Sequence, residues 1–419
     1  MTPKFSSKEI HFLKTDSDET LAGPPETYYS DLVHARTGQI QNFEQRLEKA
    51  KIPGKNFFCS VVRISGDLTQ ERLEKARDVF EACFESLLGK KSGQTKAKTS
   101  GNRGLWESLD ERSFILAFWD YTQKRKAENL ITSLKEKISS SLETRILMGA
   151  ALSPFHDFSR SETMANALKA IDHAAFFGPD HLVYFDAVSL NISGDRLYQL
   201  KMYEKAVQEY QKGLELEPKN INLINSLGVC YGVTGDLDRA MEEFEKARDL
   251  SPGEIMVIYN MGLIHQIREN ADKAVIYMKK AHALNPEIFE VELLLGQLLL
   301  KQKQHDNART HLEAALELDP ESGPATRMMG ELFLELKDAV RAGQEFNKAV
   351  KINPSDGAAL SGYAKAMYDQ GKNLKIALTF ARKSLVLEPD NLIFKARLEE
   401  ITRSWEKAEQ NREPGIKSA

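Results

Sequence analysis

The sequence is poor in cysteine: Cys59, Cys83 and Cys230 are the only three in 419 residues. An odd number, widely spaced among apolar neighbours, excludes a disulfide framework and a Cys-rich zinc module. It suits reduced core thiols in cytosol. Long hydrophobic runs are also missing. No stretch approaches the roughly 20 apolar residues of a membrane span, and the opening M-T-P-K-F-S-S-K-E-I is too polar for a signal peptide. A cytoplasmic protein without a membrane span is expected. Charge of one sign is scarce too. The formal net charge of -4 gives no overall basic field for nucleic acid or anionic lipid. The local exception, K-K-S-G-Q-T-K-A-K-T-S-G-N-R-G at residues 90–104, lacks apolar periodicity and is read as a mobile loop, with nucleic-acid binding the minor alternative. What remains is an ordinary globular composition, 42% hydrophobic and 28% charged, in a chain long enough for roughly two or three domains.

The second half repeats itself. Pro218, Pro252, Pro286, Pro320 and Pro354 follow one another at 34 residues, and Pro389 after 35. Gly194, Gly228, Gly262, Gly296 and Gly330 keep the same step, as do Ala206, Ala240, Ala274, Ala308 and Ala342. With Ile224, Leu227, Gly228, Tyr231, Ala240, Phe244, Ala247 and Pro252 in its clearest copy, this pattern resembles the tetratricopeptide repeat. Six copies fit residues 187–391. The spacing serves packing: small residues where two antiparallel helices approach, large ones between pairs, proline where a repeat ends. The resemblance implies an all-α superhelix with a concave surface. The terminal copies depart from the pattern, with Leu190, Leu197 and Gly213 in the first and Ala364 in the last. A capping helix follows within residues 392–419, its stripe formed by Phe394, Leu398, Ile401 and Trp405. The tail after Arg412 is read as frayed.

In this family the first helix of each repeat lines the concave face. The residues mapped there are Asn191, Asp195, Tyr198, Asn222, Asn225, Met256, Tyr259, Gln266, Glu290, Gln297, Arg327, Glu331, Ser361, Lys365 and Tyr368. Asn191, Tyr198, Asn222, Asn225, Tyr259, Gln266, Gln297 and Arg327 are the candidates for gripping a protein or peptide, through amides that pair with an extended backbone and flat aromatic area. Tyr259 and Leu263 stand where a clamp for a C-terminal carboxylate would need basic residues, which disfavours that subclass.

The first half opens with a polar arm and short helices over residues 1–55. An α+β pattern follows over 56–186: strand, helix, hairpin, helix, strand, helix, strand. The predicted hairpin turns at Asp110-Glu111-Arg112-Ser113, and its second strand runs from Phe114 to Trp119. I-L-M-G-A-A-L-S-P-F and N-A-L-K-A-I-D-H-A-A-F-F-G-P-D-H-L-V-Y-F-D, with Asp172, Ala175 and Gly178, resemble the GGDEF domain, the diguanylate cyclase fold. The resemblance implies a nucleotidyl cyclase-like sheet with helices.

Aligned through Phe114, D-E-R-S-F stands where that family has G-G-D-E-F. Asp110 and Glu111 replace the glycines; Arg112 and Ser113 replace acids that would hold magnesium at a triphosphate. After the first strand, Arg63 and Ser65 occupy the neighbourhood of the other metal carboxylate, with Asp67 displaced beyond it. Arg103 is followed by Gly, Leu and Trp, so the product-binding R-x-x-D is also missing. No catalytic residue, metal ligand or cofactor is expected, and His156, His173 and His181 are given structural or surface roles. The expectation is a non-catalytic bacterial signalling adaptor. A divergent nucleotidyl cyclase or nucleotide-binding regulator and an assembly scaffold, with oligomers allowed, are the alternatives.

Overall fold

The computed structural model describes residues 28–32, 38–50, 52, 56–65, 69–87, 104–119 and 124–410. Asp67, Arg103, the Lys-rich segment before Gly104 and the tail after Arg412 lie outside the described residues. Two compact units are distinguished, one within Lys14–Leu250 and one within Ser251–Ala419.

The first unit begins, among the described residues, with the segment 28–32 and helix α1 (Gly38–Lys49). There follow β1 (Phe57–Ser65), α2 (Gln70–Leu87), β2 (Gly104–Ser108), β3 (Ser113–Trp119), α3 (Lys124–Leu142), β4 (Arg145–Ser153), α4 (Glu162–Phe176) and β5 (Leu182–Tyr184). The strands form one sheet in the order β2-β3-β1-β4-β5. β1 lies antiparallel to both β3 and β4, β2 antiparallel to β3, and β5 parallel to β4. The near-continuous apolar runs that predicted β1, β3 and β4 arise because both faces are covered. Phe57, Cys59 and Val61 point to the face under α1 and α4; Phe58, Val62 and Ile64 point to the face under α2 and α3. On the second face Phe80 stacks on Phe114 at 4.4 Å between centroids. Gly149 marks the closest approach of helix to sheet, since a Cβ there would lie 2.0 Å from the Ile171 backbone nitrogen.

The unit continues as two helical hairpins, α5 (Ala187–Gln199) with α6 (Tyr203–Leu216) and α7 (Ile221–Val233) with α8 (Leu237–Leu250). The second unit holds four more: α9 (Ile255–Ile267) with α10 (Ala271–Leu284), α11 (Phe289–Lys301) with α12 (His305–Leu318), α13 (Gly323–Glu335) with α14 (Ala339–Ile352), and α15 (Gly357–Asp369) with α16 (Leu374–Leu387). Helix α17 (Leu392–Gln410) follows. Within a hairpin the periodic glycine receives a large side chain from the second helix. A Cβ on Gly228 would stand 2.6 Å from the Phe244 ring, and Phe244 is fully buried.

The periodicity extends to a feature without a sequence motif. The turn between the paired helices carries a left-handed residue at the same phase in all six hairpins: Lys201, Gly235, Glu269, Lys303, Lys337 and Gly371. The following amide closes the turn, as when Asp338 N–H donates to the Phe333 carbonyl at 2.8 Å. At φ 60° Lys337 bears a cost of roughly 1–2 kcal/mol that glycine avoids. Glycine's larger entropy loss returns about 0.5–1 kcal/mol of that. Lys337→Gly should therefore stabilise the second unit by about 0.5 kcal/mol, read as a raised urea midpoint at unchanged slope. A lowered midpoint would refute it.

Candidate functional site

The hairpin forms where the sequence predicts it, and its turn is tied both within itself and to β1, where Ile64 N–H donates to the Arg112 carbonyl at 2.9 Å. Asp110 spends a carboxylate oxygen on the Arg112 N–H at 2.7 Å, while the Ser108 hydroxyl donates to the Asp110 carbonyl at 2.7 Å. Leu109 N–H closes the turn on the Ser113 carbonyl at 2.8 Å. Glu111 is exposed and Arg112 half-buried. Ser113 and Phe114 are fully buried at the start of β3.

Ser113 faces Arg63 directly across the β1–β3 ladder. The aromatic side chain of Tyr29 completes this pair. Its hydroxyl lies 2.7 Å from Ser113 Oγ and accepts from Arg63 Nη1 at 2.6 Å. The position that the resemblance assigns to a metal-binding acid thus holds a neutral hydroxyl, a guanidinium and a phenol. Burial, only partly offset by the Ser113 and Arg63 hydrogen bonds, pushes the Tyr29 phenol above its ordinary range, so it stays neutral.

The segment carrying Tyr29 is fastened at three further points. Asp172, buried on α4, accepts from Tyr29 N–H at 2.6 Å through one oxygen and from Ser30 N–H at 3.0 Å through the other. Burial pushes the Asp172 carboxyl up to about 7, against the opposing pull of these bonds. Asp31 receives the Arg196 guanidinium of α5, with Nη2 at 2.7 Å and Nε at 3.1 Å. The same guanidinium lies over the Tyr28 ring, 4.8 Å from its centroid. Residues 28–32 form a strap that touches β1, β3, α4 and the first repeat helix.

Beside the turn lies a cleft of about 510 Å³ whose lining includes Leu73, Glu74, Arg77, Asp110, Glu111 and Phe114. Three carboxylates against one guanidinium make it a poor seat for a triphosphate. His173 is buried 3.2 Å from Asp186, the N-cap of α5, whereas His156 and His181 are exposed.

Among the stripe residues proposed to contact a partner, exposure is lower than the helical spacing suggests. Asn191, Asn225, Tyr259, Gln266 and Arg327 are buried; Tyr198, Asn222 and Gln297 are half-buried. Arg327 is an ion-pair partner of Asp356 at 3.2 Å. Neighbouring helices cover this stripe, which spacing within one helix does not report. Both amide atoms of Gln266 are buried without a partner among the described residues. Burial raises the Tyr198 phenol to about 12.

The end of the stripe is occupied by the chain itself. Helix α17 buries Phe394 and Ile401, as its apolar spacing predicts. Its polar side engages earlier stripe residues. Arg397 pairs with Glu331 at 2.9 Å, Glu400 accepts from Lys365 at 2.8 Å, and Ser404 meets Tyr368 at 3.0 Å.

One cluster escaped sequence reasoning. His282 Nδ1 and His311 Nδ1 lie 2.5 and 2.7 Å from the two oxygens of Glu292, whose side chain is almost wholly buried. Burial opposes the Glu292 charge, yet the hydrogen bonds from His311 and His282 hold its carboxyl below the ordinary value. A signal was available. Stepping by the repeat, the equivalent residues are Leu190, Ile224, Ile258, Glu292, Thr326 and Leu360, one carboxylate in an otherwise uncharged buried column.

Two stretches match family models, residues 194–232 that of the TPR repeat and residues 293–357 that of the tetratricopeptide repeat. The hairpins they fall in are tetratricopeptide repeats. Among solved structures the chain is similar to PilF of Pseudomonas aeruginosa, at 20% identity over 51% of this chain and 97% of that one, TM-score 0.47. It is also similar to the Cut9–Hcn1 hetero-tetramer of the APC/C, at 17% identity over 52% of this chain, TM-score 0.47; the match spans 42% of that chain's length. YrrB, a TPR protein with an unusual peptide-binding site, matches at 19% identity over 45% of this chain and 96% of that one, TM-score 0.38. No curated protein matches the sequence. No helix among the described residues is long and apolar enough to cross a membrane.

Proposed function

We propose that the chain is a non-catalytic adaptor whose repeats bind a protein or peptide. In this reading the sheet-containing region, residues 56–186, is an inactive GGDEF-like module for sensing or docking, and residues 187–391 carry the six repeats. The carrying observation is the Tyr29–Ser113–Arg63 cluster. A half-buried guanidinium and two neutral hydroxyls stand where the resemblance calls for acids, and a magnesium ion beside Arg63 would meet like charge. The repeat matches support partner binding, and among the eight candidate residues the half-buried Tyr198, Asn222 and Gln297 have area to offer. A bacterial regulatory setting and a cytoplasmic location accompany this reading.

The test has two arms. Purified chain incubated with GTP and magnesium should yield no cyclic dinucleotide; turnover abolished by Glu111→Ala would overturn the inactive assignment. Affinity capture should return a partner that a Tyr198→Ala/Asn222→Ala variant loses. Identical partner sets would remove the stripe from the binding surface. The acidic cleft beside the turn counts against a regulator that binds a nucleotide without turning it over; GTP calorimetry on the same protein should show no binding, and measurable binding would restore that reading.

A further inference from the structure

We propose that His282, Glu292 and His311 form a binding site for a divalent cation of the zinc type. Each residue comes from a different helix, α10, α11 and α12, so the donors are held by rigid elements rather than by a loop. Their ligand atoms all lie within 4.8 Å of one another. The two imidazoles meet edge to face with centroids 5.0 Å apart, so both Nδ1 atoms reach the carboxylate from different directions.

The donor chemistry is selective. Two imidazoles and one carboxylate are the protein ligands of open zinc sites, which keep a fourth position for water. Zinc binds nitrogen at roughly 2.0–2.1 Å, so tetrahedral ligands stand about 3.4 Å apart. The two nitrogen-to-oxygen separations, 2.5 and 2.7 Å, would each have to open by less than about 1 Å to reach it. With no cation, protons bridge the carboxylate to the rings; a cation entering between them replaces those protons on the same three donors. The His282 side chain is 38% exposed, which leaves an entry path and room for the open position.

Packing alone gives no reason for the arrangement. In the same column the neighbouring repeats use Ile258 and Thr326, and both are buried. A carboxylate substituted there must be desolvated, and a hydrophobic residue of similar size would serve packing at least as well. His282 and His311 supply both halves of a ligand set at the one repeat where the column carries a charge.

The experiment uses the full chain, freed of metal with a chelator and titrated with Zn²⁺ alone in a calorimeter. Co²⁺ serves as a second probe because its visible bands report coordination number. One equivalent should bind, with cobalt bands of a four- or five-coordinate site. Loss of groups outside the ligand shell already weakens metal sites about 10–100-fold, so His282→Ala and Glu292→Gln should each weaken binding at least about tenfold. His305→Ala, which removes the imidazole beside Glu335 at 2.7 Å, should leave it unchanged. His282 is the least buried ligand, so its variant keeps the test valid if Glu292→Gln fails to fold. Absence of Zn²⁺ binding, or equal affinity in His282→Ala and the unaltered chain, would overturn the assignment.

Discussion

Gly149→Val should unfold the sheet unit or leave it stable only at low temperature. The expected cause is backbone against backbone. A Cβ at position 149 falls 2.0 Å from Ile171 N, 2.6 Å from the Ala167 carbonyl oxygen and 2.6 Å from Ala170 C. All three belong to the main chain of α4, so no side-chain rotation relieves the contact. Overpacking against side chains typically costs about 1–3 kcal/mol; here the whole helix must lift from β4, and valine adds two further methyl groups. Domains are stable by only about 5–15 kcal/mol. Lifting α4 also withdraws Asp172 from the strap, so the two losses compound. Urea unfolding with amide exchange across β4 measures the effect. A loss below about 1 kcal/mol would mean that α4 does not rest on Gly149. Gly38→Ala, where nothing lies within 4 Å of the added Cβ, is the control.

Asp172→Ala should have the next largest effect, concentrated on residues 28–32. The Tyr29 and Ser30 amides lose their acceptors while both residues are buried. An unsatisfied buried donor costs about 1–3 kcal/mol, so the loss of both acceptors should cost about 2–6 kcal/mol. It should depend on pH. The Asp172 carboxyl is raised from an ordinary 3.8 to about 7. A raised carboxyl contributes stability that is complete below the lower value and is lost as pH rises through the upper one. The advantage of the unaltered chain over Asp172→Ala should therefore shrink between about pH 4 and pH 7. Exchange of the Tyr29 to Leu32 amides, corrected for intrinsic rates, reads both effects. Equal protection in the two proteins near pH 5 would refute the first, and an advantage that grows with pH the second.

Much of the architecture was legible in the residues. The 34-residue recurrence of Pro252, Gly228 and Ala240 runs in step with the helical hairpins among the described residues. The apolar run from Phe114 to Trp119 predicted β3 to within one residue, because a strand covered on both faces has no polar side. In α2, Ala76, Phe80, Cys83 and Phe84 stand at helical spacing and are buried, while Leu73 on the same face is half-buried. What could not be read were pairings across long sequence separations. Nothing near Tyr29 announces Arg63 or Asp172, and nothing near Asp31 announces Arg196. Exposure along the stripe failed for a related reason. Helical spacing tells which side Asn225 and Tyr259 face, but whether neighbouring helices cover that side depends on how they stack. Glu292 lies between these cases. Its column is periodic and visible, but its histidine partners fall at other phases of the repeat.

The strap also has a consequence for how such a chain can be rearranged by recombination. The resemblances divide the chain at residues 186 and 187, a natural crossover for exchanging one repeat array for another. Asp31 and Arg196 stand on opposite sides of that point, as do His173 and Asp186 on one side and Ser189 on the other. A hybrid joined there would inherit half of each pairing, with Asp31 and Tyr28 stripped of their guanidinium. The inheritable block is therefore longer than the sheet region and includes at least α5. Repeats beyond that helix can be traded, but the first travels with residues 28–32.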